Sequence, residues 1–160
     1  MKRYETGSVR FLTFSCDGRE PRLLEPGAAQ VFVEHLVFMV SQSDLLLHAF
    51  VVMPEHVHLL VTPEALTGSK ALENLKKRTA AKINRAAGRS GRFWLAGGGY
   101  DRNIETASEY KEKLNYIHNN PVARGLVESA LGWPHSSAAF YLDGPYSGPA
   151  ITSLDTDFQW

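Results

Sequence analysis

The pattern of apolar and polar positions switches repeatedly between a two-residue period and a helical period, and it first predicts three strands. Residues 8–16, SVRFLTFSC, alternate between two faces as a strand does. Residues 45–53, LLLHAFVVM, and residues 56–62, HVHLLVT, predict two more strands. The stretch MPEH between them is typical of a tight turn, so we expect these two strands to pair antiparallel.

Three segments have the helical period. Apolar residues recur at helical spacing from Pro26 to about Gln42. A second helix is predicted from a cap at Ser69 to about Ala87. The stretch TASE, residues 106–109, has the form of a capping box, and its helix is expected to continue to about Asn119, where Pro121 should end it.

These elements predict an α+β protein with a ferredoxin-like split βαβ fold. A short edge strand around residues 93–95 or 100–103 completes the order strand, helix, strand, strand, helix, strand, and a helix follows. In this arrangement the first and third strands are central in an antiparallel sheet, and the added C-terminal helix can lie across it. We expect one domain over residues 1–142 and an irregular tail, rich in Gly, Pro and Ser, over residues 143–160.

Two histidines interrupt the apolar stretch VVMPEHVHLLV. Because side chains alternate along a strand, His56 and His58 point to one face while Val57 and Leu59 point to the other. A buried imidazole needs hydrogen-bond partners of its own, and a neutral imidazole is a common metal ligand. The pair is therefore either two satisfied core histidines or half of a metal site that still lacks a third ligand.

Composition narrows the class of protein. The chain has 160 residues, of which 44% are apolar and 21% charged, as in an ordinary globular domain. It contains no apolar run long enough to span a membrane, and its first residues lack the apolar stretch of a signal peptide, so we expect a cytoplasmic protein. Cys16 is the single cysteine, which excludes an intrachain disulfide and a cysteine-based metal site.

The net charge of zero conceals a polarised distribution. Residues 70–92 contain eight basic residues and one acidic residue, a local charge of +7, so the rest of the chain carries −7. The segment is either a solvated helix face or a phosphate-binding surface. The best candidates for phosphate contacts are Lys76, Lys77, Arg78, Lys82 and Arg85. Trp94 and Tyr100 are candidates for stacking on bases, whereas Phe93 is more typical of a core.

The C-terminal helix supplies a candidate third ligand and a nucleophile. Tyr116 and Asn120 lie four residues apart and share one helical face, with Lys113 three residues before the tyrosine. The amide oxygen of Asn120 can bind a hard cation. The Tyr116 hydroxyl can act as a nucleophile if a neighbouring cation or base favours its ionised form, although a tyrosine taken alone is more typical of packing.

Four blocks, VVMPEHVHLLV, FWLAGGGYDRNI, YIHNNPVARGLV and GWPHSS, together resemble the signatures of the REP-associated tyrosine transposases. These are bacterial members of the HUH family of single-tyrosine nucleases, in which U denotes a hydrophobic residue. The resemblance extends from residue 8 to about residue 142, in matching order and spacing. At position 55 the chain has Glu where the family more usually has Asn, a departure that concerns the local turn rather than the metal ligands.

The resemblance implies a DNA-binding transposase, which cleaves and joins single-stranded DNA on a ferredoxin-like fold with Mg²⁺ or Mn²⁺. The family's metal-binding histidines fall on His56 and His58, its third ligand on Asn120, and its nucleophile, which forms a 5′-phosphotyrosine, on Tyr116. The implied partner is single-stranded or REP hairpin DNA. The protein is expected to act as a monomer or homodimer and to have no membrane partner. We expect this DNA to lie in a trough formed by the basic helix and the Tyr116 helix on the same side of the sheet.

Two other classes of protein fit parts of the sequence. A metal-independent nucleic-acid-binding module with a ferredoxin-like fold would keep the basic helix but would need neither the histidine pair nor Tyr116. A two-histidine phosphoesterase would need two motifs in which a histidine is followed, two residues later, by Thr or Ser. The stretch HSS, residues 135–137, provides one such motif, but the pair at 56 and 58 ends in His instead of a hydroxyl residue.

Overall fold

The computed structural model describes residues 8–97 and 99–154, which form a four-stranded sheet and four α-helices. The order along the chain is strand, helix, strand, strand, helix, strand and two helices, with short 3-10 turns between some of them. The elements are β1 (Val9–Ser15), α1 (Ala28–Ser41), β2 (Leu45–Val52), β3 (His56–Pro63), α2 (Gly68–Ala86), β4 (Tyr100–Ile104), α3 (Ala107–Ala123) and the four-residue α4 (Ala138–Tyr141).

The sheet has the strand order β2-β3-β1-β4, and all of its neighbouring strands are antiparallel. This is the split βαβ topology of a ferredoxin-like fold, so the predicted fold class is confirmed. β1 and β3 are central, as expected, and their register places Thr13 opposite His58 and Ser15 opposite His56. β4 lies at one edge of the sheet, at the second of the two predicted positions, and β2 lies at the other edge.

The two faces of the sheet carry separate hydrophobic cores. On one face, Val57, Leu59 and Val61 of β3 pack with the apolar residues of α1 and α2. On the other face, Phe11 and Leu60 pack with α3. The alternation along β3 therefore directs its odd-numbered residues to the α1/α2 face and its even-numbered residues, including both histidines, to the α3 face.

The expectation that the basic helix and the Tyr116 helix share one side of the sheet is wrong. α2, the basic helix, lies on one face and α3 on the other. The reason is the handedness of the crossovers: α1 and α2 each connect two parallel strands, and right-handed connections put both helices on the same face. The opposite face is thereby left for α3, and no trough forms between α2 and α3.

α3 begins as predicted but ends later. The Thr106 hydroxyl accepts a hydrogen bond from the Glu109 amide at 3.1 Å, which confirms the cap. The expectation that Pro121 ends the helix is wrong, because α3 continues to Ala123. Pro121 has no N–H to donate to the carbonyl one turn earlier, and its ring crowds that carbonyl, but only two residues of the helix follow it.

The end of α3 is set by Gly125 instead. Gly125 has a φ of +70°, a backbone conformation that favours glycine. Its amide donates to the Val122 carbonyl at 2.9 Å, and the Leu126 amide donates to the Pro121 carbonyl at 2.9 Å, the two bonds of a Schellman motif. This last turn of α3 matters for the site, because it places Arg124 beside the histidine pair.

The last described residues, 143–154, contain no helix or strand. Their end lies against β2, where the Thr152 amide donates to the Leu47 carbonyl at 2.8 Å. The remainder of the predicted tail, residues 155–160, lies outside the described residues. Over the described part of the chain, no helix is long and apolar enough to cross a membrane.

Candidate active site

The two histidines of β3 converge on one point. Both side chains are buried on the α3 face, with the rings in an edge-to-face arrangement at 4.6 Å between centroids. The Nε2 atom of His56 lies 3.0 Å from the Nε2 atom of His58. The two nitrogens are close enough together to bind a single metal ion.

The other nitrogen of each imidazole is held by a protein side chain. His56 Nδ1 donates to Glu55 Oε1 at 2.9 Å, and His58 Nδ1 lies 2.8 Å from the Thr13 hydroxyl. Partners of this kind fix the orientation of metal-binding histidines and direct the opposite nitrogen toward the ion. Both Nε2 atoms are thus presented to the same space by contacts on the far side of each ring.

Burial keeps both imidazoles neutral. It lowers the pKa of His56, and the hydrogen bond to Glu55 opposes this effect without cancelling it. Burial also lowers the pKa of His58, with further contributions from the neighbouring His56 and from Lys113, to about 3. A neutral imidazole is the form that binds a metal, so neither ring first has to lose a positive charge.

Asn120 places an unpaired amide oxygen in the same cleft. Its side chain is buried, and among the described residues its Oδ1 is the buried side-chain polar atom that lacks a hydrogen-bond partner. Such an atom costs free energy unless something outside the protein chain satisfies it. Two imidazole nitrogens and an amide oxygen form a mixed donor set that can hold a divalent transition-metal ion such as Mn²⁺, and the amide oxygen is also a ligand type that Mg²⁺ accepts. The described residues contain no group of three His, Cys, Asp or Glu side chains that could hold a metal, so a third protein ligand beside the two histidines would have to be of another type.

Tyr116 stands one turn before Asn120 on the same side of α3. Its side chain is 49% exposed, and its ring centroid lies 5.3 Å from that of His58 and 5.9 Å from that of Phe11. Lys113 Nζ lies 5.6 Å from the centroid of the Tyr116 ring. The phenol is therefore accessible, close to the histidine pair and beside a cation.

These groups open into one cleft of about 1350 Å³. Its walls are the ends of β1 and β3, one side of α3 and the start of the segment that follows it. Two arginines, Arg19 and Arg124, also line it. Arg124 forms an ion pair with Glu55. Burial alone would raise the pKa of the Glu55 carboxyl, but hydrogen bonds from Arg124 and His56 outweigh this effect and lower it.

The structure brings His56, His58, Tyr116 and Asn120 together but leaves the basic helix apart. Lys77, Arg78, Lys82 and Arg85 are exposed on the opposite face of the sheet. Lys77 pairs with Glu73 at 2.6 Å, and Lys76 is half-buried with its Nζ 5.1 Å from the centroid of the Phe14 ring. None of the five lines the cleft.

Reasoning from the sequence gave no role in the cleft to Arg124, Arg19 or Thr13, and it assigned Glu55 to the local turn alone. Glu55 directly precedes His56, and Arg124 follows Asn120 by one helical turn, so spacing alone could have suggested both. The assumption that α3 stops at Pro121 hid the second. Arg19 lies in a 3-10 turn after β1 with a φ of +51°, and no sequence pattern indicates that it reaches the cleft.

Several other candidates have structural roles. Trp94 is buried and its indole N–H donates to the Lys76 carbonyl at 3.1 Å, so the suggestion that it stacks on bases is wrong. Phe93 is buried as expected, and Tyr100 is 50% exposed. His118 contacts the Ser137 hydroxyl at 2.7 Å through its Nε2. The HSS stretch, residues 135–137, lies outside the lining of the cleft, which argues against a two-histidine phosphoesterase.

Comparison with known proteins identifies the family. The family described as "Transposase IS200 like" matches residues 12–120, which include all four residues of the site. The REP-associated tyrosine transposase of Escherichia coli K12 is 26% identical over 140 residues, covering 84% of this chain and 78% of that protein.

Solved structures share the fold. A REP-associated tyrosine transposase bound to a REP hairpin superposes with a TM-score of 0.71 at 23% identity, covering 97% of this chain and 93% of that one. A protein from Deinococcus radiodurans R1, assigned as a transposase, superposes with a TM-score of 0.51 at 21% identity, covering 74% and 95%. The resemblance inferred from the four sequence blocks is confirmed, and the chain belongs to the IS200-like transposase family.

Proposed function

We propose that this protein is a metal-dependent endonuclease and strand transferase for single-stranded DNA, acting through a 5′-phosphotyrosine on Tyr116. The observation that carries the proposal is the meeting of two imidazole Nε2 atoms at 3.0 Å with an unpaired, buried amide oxygen in the cleft that exposes the Tyr116 phenol. A metal-independent binding module would have no use for this arrangement. The proposed ligands are His56, His58 and Asn120, and the proposed ion is Mg²⁺ or Mn²⁺.

The chemistry of the proposed reaction is a transfer between two oxygen atoms. When bound, the metal ion supplies Lewis-acid polarisation of the phosphate. The Tyr116 oxygen loses its proton and forms a bond to phosphorus, while the bond from phosphorus to the 3′ oxygen breaks. The 3′ oxygen keeps the electron pair, takes up a proton and leaves as a hydroxyl. Because the phosphotyrosine preserves the bond energy, attack by a 3′ hydroxyl reverses the step and joins strands.

The charges around Tyr116 favour this reaction. Lys113 places its cation 5.6 Å from the centroid of the phenol ring, where its charge favours a phosphate oxygen bound beside the phenol. Arg19 lines the same cleft and is suited to a phosphate oxygen of the strand. Arg124 also lines the cleft, but its guanidinium already pairs with Glu55.

The proposed substrate is a single strand next to a REP-like hairpin. This rests on the E. coli relative, named a REP-associated tyrosine transposase, and on the neighbour solved with a REP hairpin. Because the exposed cations of α2 lie across the sheet from the cleft, they are proposed to contact a more distant part of the same DNA. Because the proposed substrate is DNA, the proposed place of action is the cytoplasm.

The test is cleavage of labelled single-stranded oligonucleotides that carry a REP-like hairpin, with and without Mn²⁺, resolved on a denaturing gel. Wild-type protein should cut the strand and retain part of it in a covalent complex, only when the ion is present. Tyr116→Phe should bind the DNA but form neither product, and His56→Ala should lose most of both. Equal cutting by wild type and Tyr116→Phe would contradict the proposal.

A further inference from the structure

We propose that Glu55 is a positioning residue, which holds the metal site in its binding geometry by joining His56 to the C-terminal end of α3. The inference rests on the proposed function, because it concerns the same site for a divalent cation. Glu55 itself binds neither metal nor DNA in this proposal. It acts through the ligand on one side and through Arg124 on the other.

The contacts of Glu55 single it out. Its side chain is 11% exposed, and its Oε1 atom is shared by two donors. His56 Nδ1 donates to this oxygen at 2.9 Å, and the Arg124 guanidinium donates to it from the end of α3. A buried carboxylate is costly unless it is paired, so both partners are held firmly once the chain has folded.

The first consequence is the tautomer of His56. A carboxylate can only accept at this position, so the proton of the neutral imidazole must lie on Nδ1. Nε2 is then left with its lone pair, directed at the point that it shares with His58. Without Glu55, the proton could move to Nε2 and block that nitrogen as a ligand.

The second consequence is the placement of Asn120. The Arg124 amide donates to the Asn120 carbonyl at 3.1 Å, so the two residues lie one helical turn apart at the end of α3. By pairing with Arg124, Glu55 fixes this turn against the start of β3. The Glu55 carboxylate thus fixes the positions of both His56 on the sheet and Asn120 on the helix. These two side chains belong to different walls of the cleft.

The experiment measures Mn²⁺ affinity by electron paramagnetic resonance titration, without DNA and without turnover. Glu55→Met, which keeps the volume but cannot accept a hydrogen bond, should weaken binding about 10–100-fold. Glu55→Gln keeps an acceptor oxygen for His56 and should recover part of the loss. The matched control is Glu112→Gln, since Glu112 lines the same cleft and is exposed. It removes the same charge without touching a ligand, and it should change the affinity less than about threefold.

A second readout separates positioning from charge and from misfolding. Nitrogen-15 chemical shifts of the metal-free protein should place the His56 proton on Nδ1 in wild type and Glu55→Gln, and distribute it over both nitrogens in Glu55→Met. Arg124→Met removes a cation near the site, which by charge alone would strengthen Mn²⁺ binding. We expect it to weaken binding instead, because Asn120 is no longer held.

The outcomes distinguish the inference from the proposed function. If wild type binds no Mn²⁺, or if His56→Ala binds it equally well, the metal site itself fails and the inference fails with it. If wild type binds Mn²⁺ through His56 but Glu55→Met binds it as tightly, only the inference is overturned. Equal losses in Glu55→Gln, Glu55→Met and Glu112→Gln would also overturn it, since they would report charge alone. Stronger binding by Arg124→Met would overturn the role of Glu55 in placing Asn120.

Discussion

The Nε2 atoms of His56 and His58 face each other at 3.0 Å, although the two residues are separated by a single valine. Since Glu55 accepts the Nδ1 proton of His56, the Nε2 atom of His56 carries a lone pair. In the metal-free protein this lone pair can accept the proton of His58 Nε2, and the Thr13 hydroxyl then donates to His58 Nδ1. An ion bound between the rings would require the opposite tautomer of His58, with Thr13 as the acceptor.

Thr13→Val therefore tests how the second imidazole is held. Valine fills the space of threonine but cannot accept a hydrogen bond from His58 Nδ1, so the tautomer that binds a metal loses its partner. We expect Mn²⁺ affinity to fall about tenfold while the fold is preserved. Ser15→Ala is the control, because it removes a hydroxyl from the same strand, two residues away. Calorimetric titration of both variants checks the result, and equal affinities would contradict the role given to Thr13.

The contribution of the exposed cations of α2 to DNA affinity should depend on the length of the DNA. Arg78 and Lys82 lie across the sheet from Tyr116, so a strand short enough to fill only the cleft cannot reach them. Arg78→Glu combined with Lys82→Glu should weaken binding of a hairpin substrate at least tenfold and flatten its dependence on salt. Binding of a six-nucleotide single strand should change little. If neither affinity changes, α2 is only a solvated face.

The buried His118 makes stability depend on pH. Burial lowers its pKa to about 4, from an ordinary value of 6.5. Below pH 6.5 the unfolded chain therefore binds a proton at His118 that the folded protein does not bind. The free energy of unfolding is highest above pH 6.5 and decreases as the pH falls toward 4. At pH 5 the loss is on the order of 2 kcal/mol.

Urea unfolding at pH 7.5 and pH 5 measures this effect. His118→Gln can still bond to the Ser137 hydroxyl but does not titrate, so its stability should fall by less than that of wild type over the same range. An equal fall in both proteins would show that His118 is not responsible.

The parts of the site that could be predicted follow from short-range geometry. The two-residue period of a strand places His56 and His58 on one face of the sheet. The helical period places Tyr116 and Asn120 on one side of α3. The fold class followed from the order of the elements. None of these inferences needs a contact between distant parts of the chain.

The parts that were missed depend on three-dimensional packing. The opposite placement of α2 and α3 follows from the handedness of the crossovers, which the charge pattern does not reveal. The pairing of Glu55 with Arg124 exists only because α3 passes through Pro121 and continues to Ala123, with Gly125 in its C-terminal cap. From the local sequence, Pro121 was expected to end the helix, but a proline is tolerated in the last turn. This wrong expectation concealed the contact between the end of α3 and the histidine pair.

The account depends most on Tyr116 as the residue that becomes bonded to DNA. The direct measurement is mass spectrometry of the covalent complex after digestion with trypsin, using hairpin DNA labelled at its 5′ or its 3′ end. We predict that the DNA is attached to the peptide of residues 114–124, in which Tyr116 is the single tyrosine, and that the attached fragment carries the 3′ label, as a 5′-phosphotyrosine requires. Attachment to a peptide containing Tyr110 or Tyr141, or retention of the 5′ label, would contradict the account.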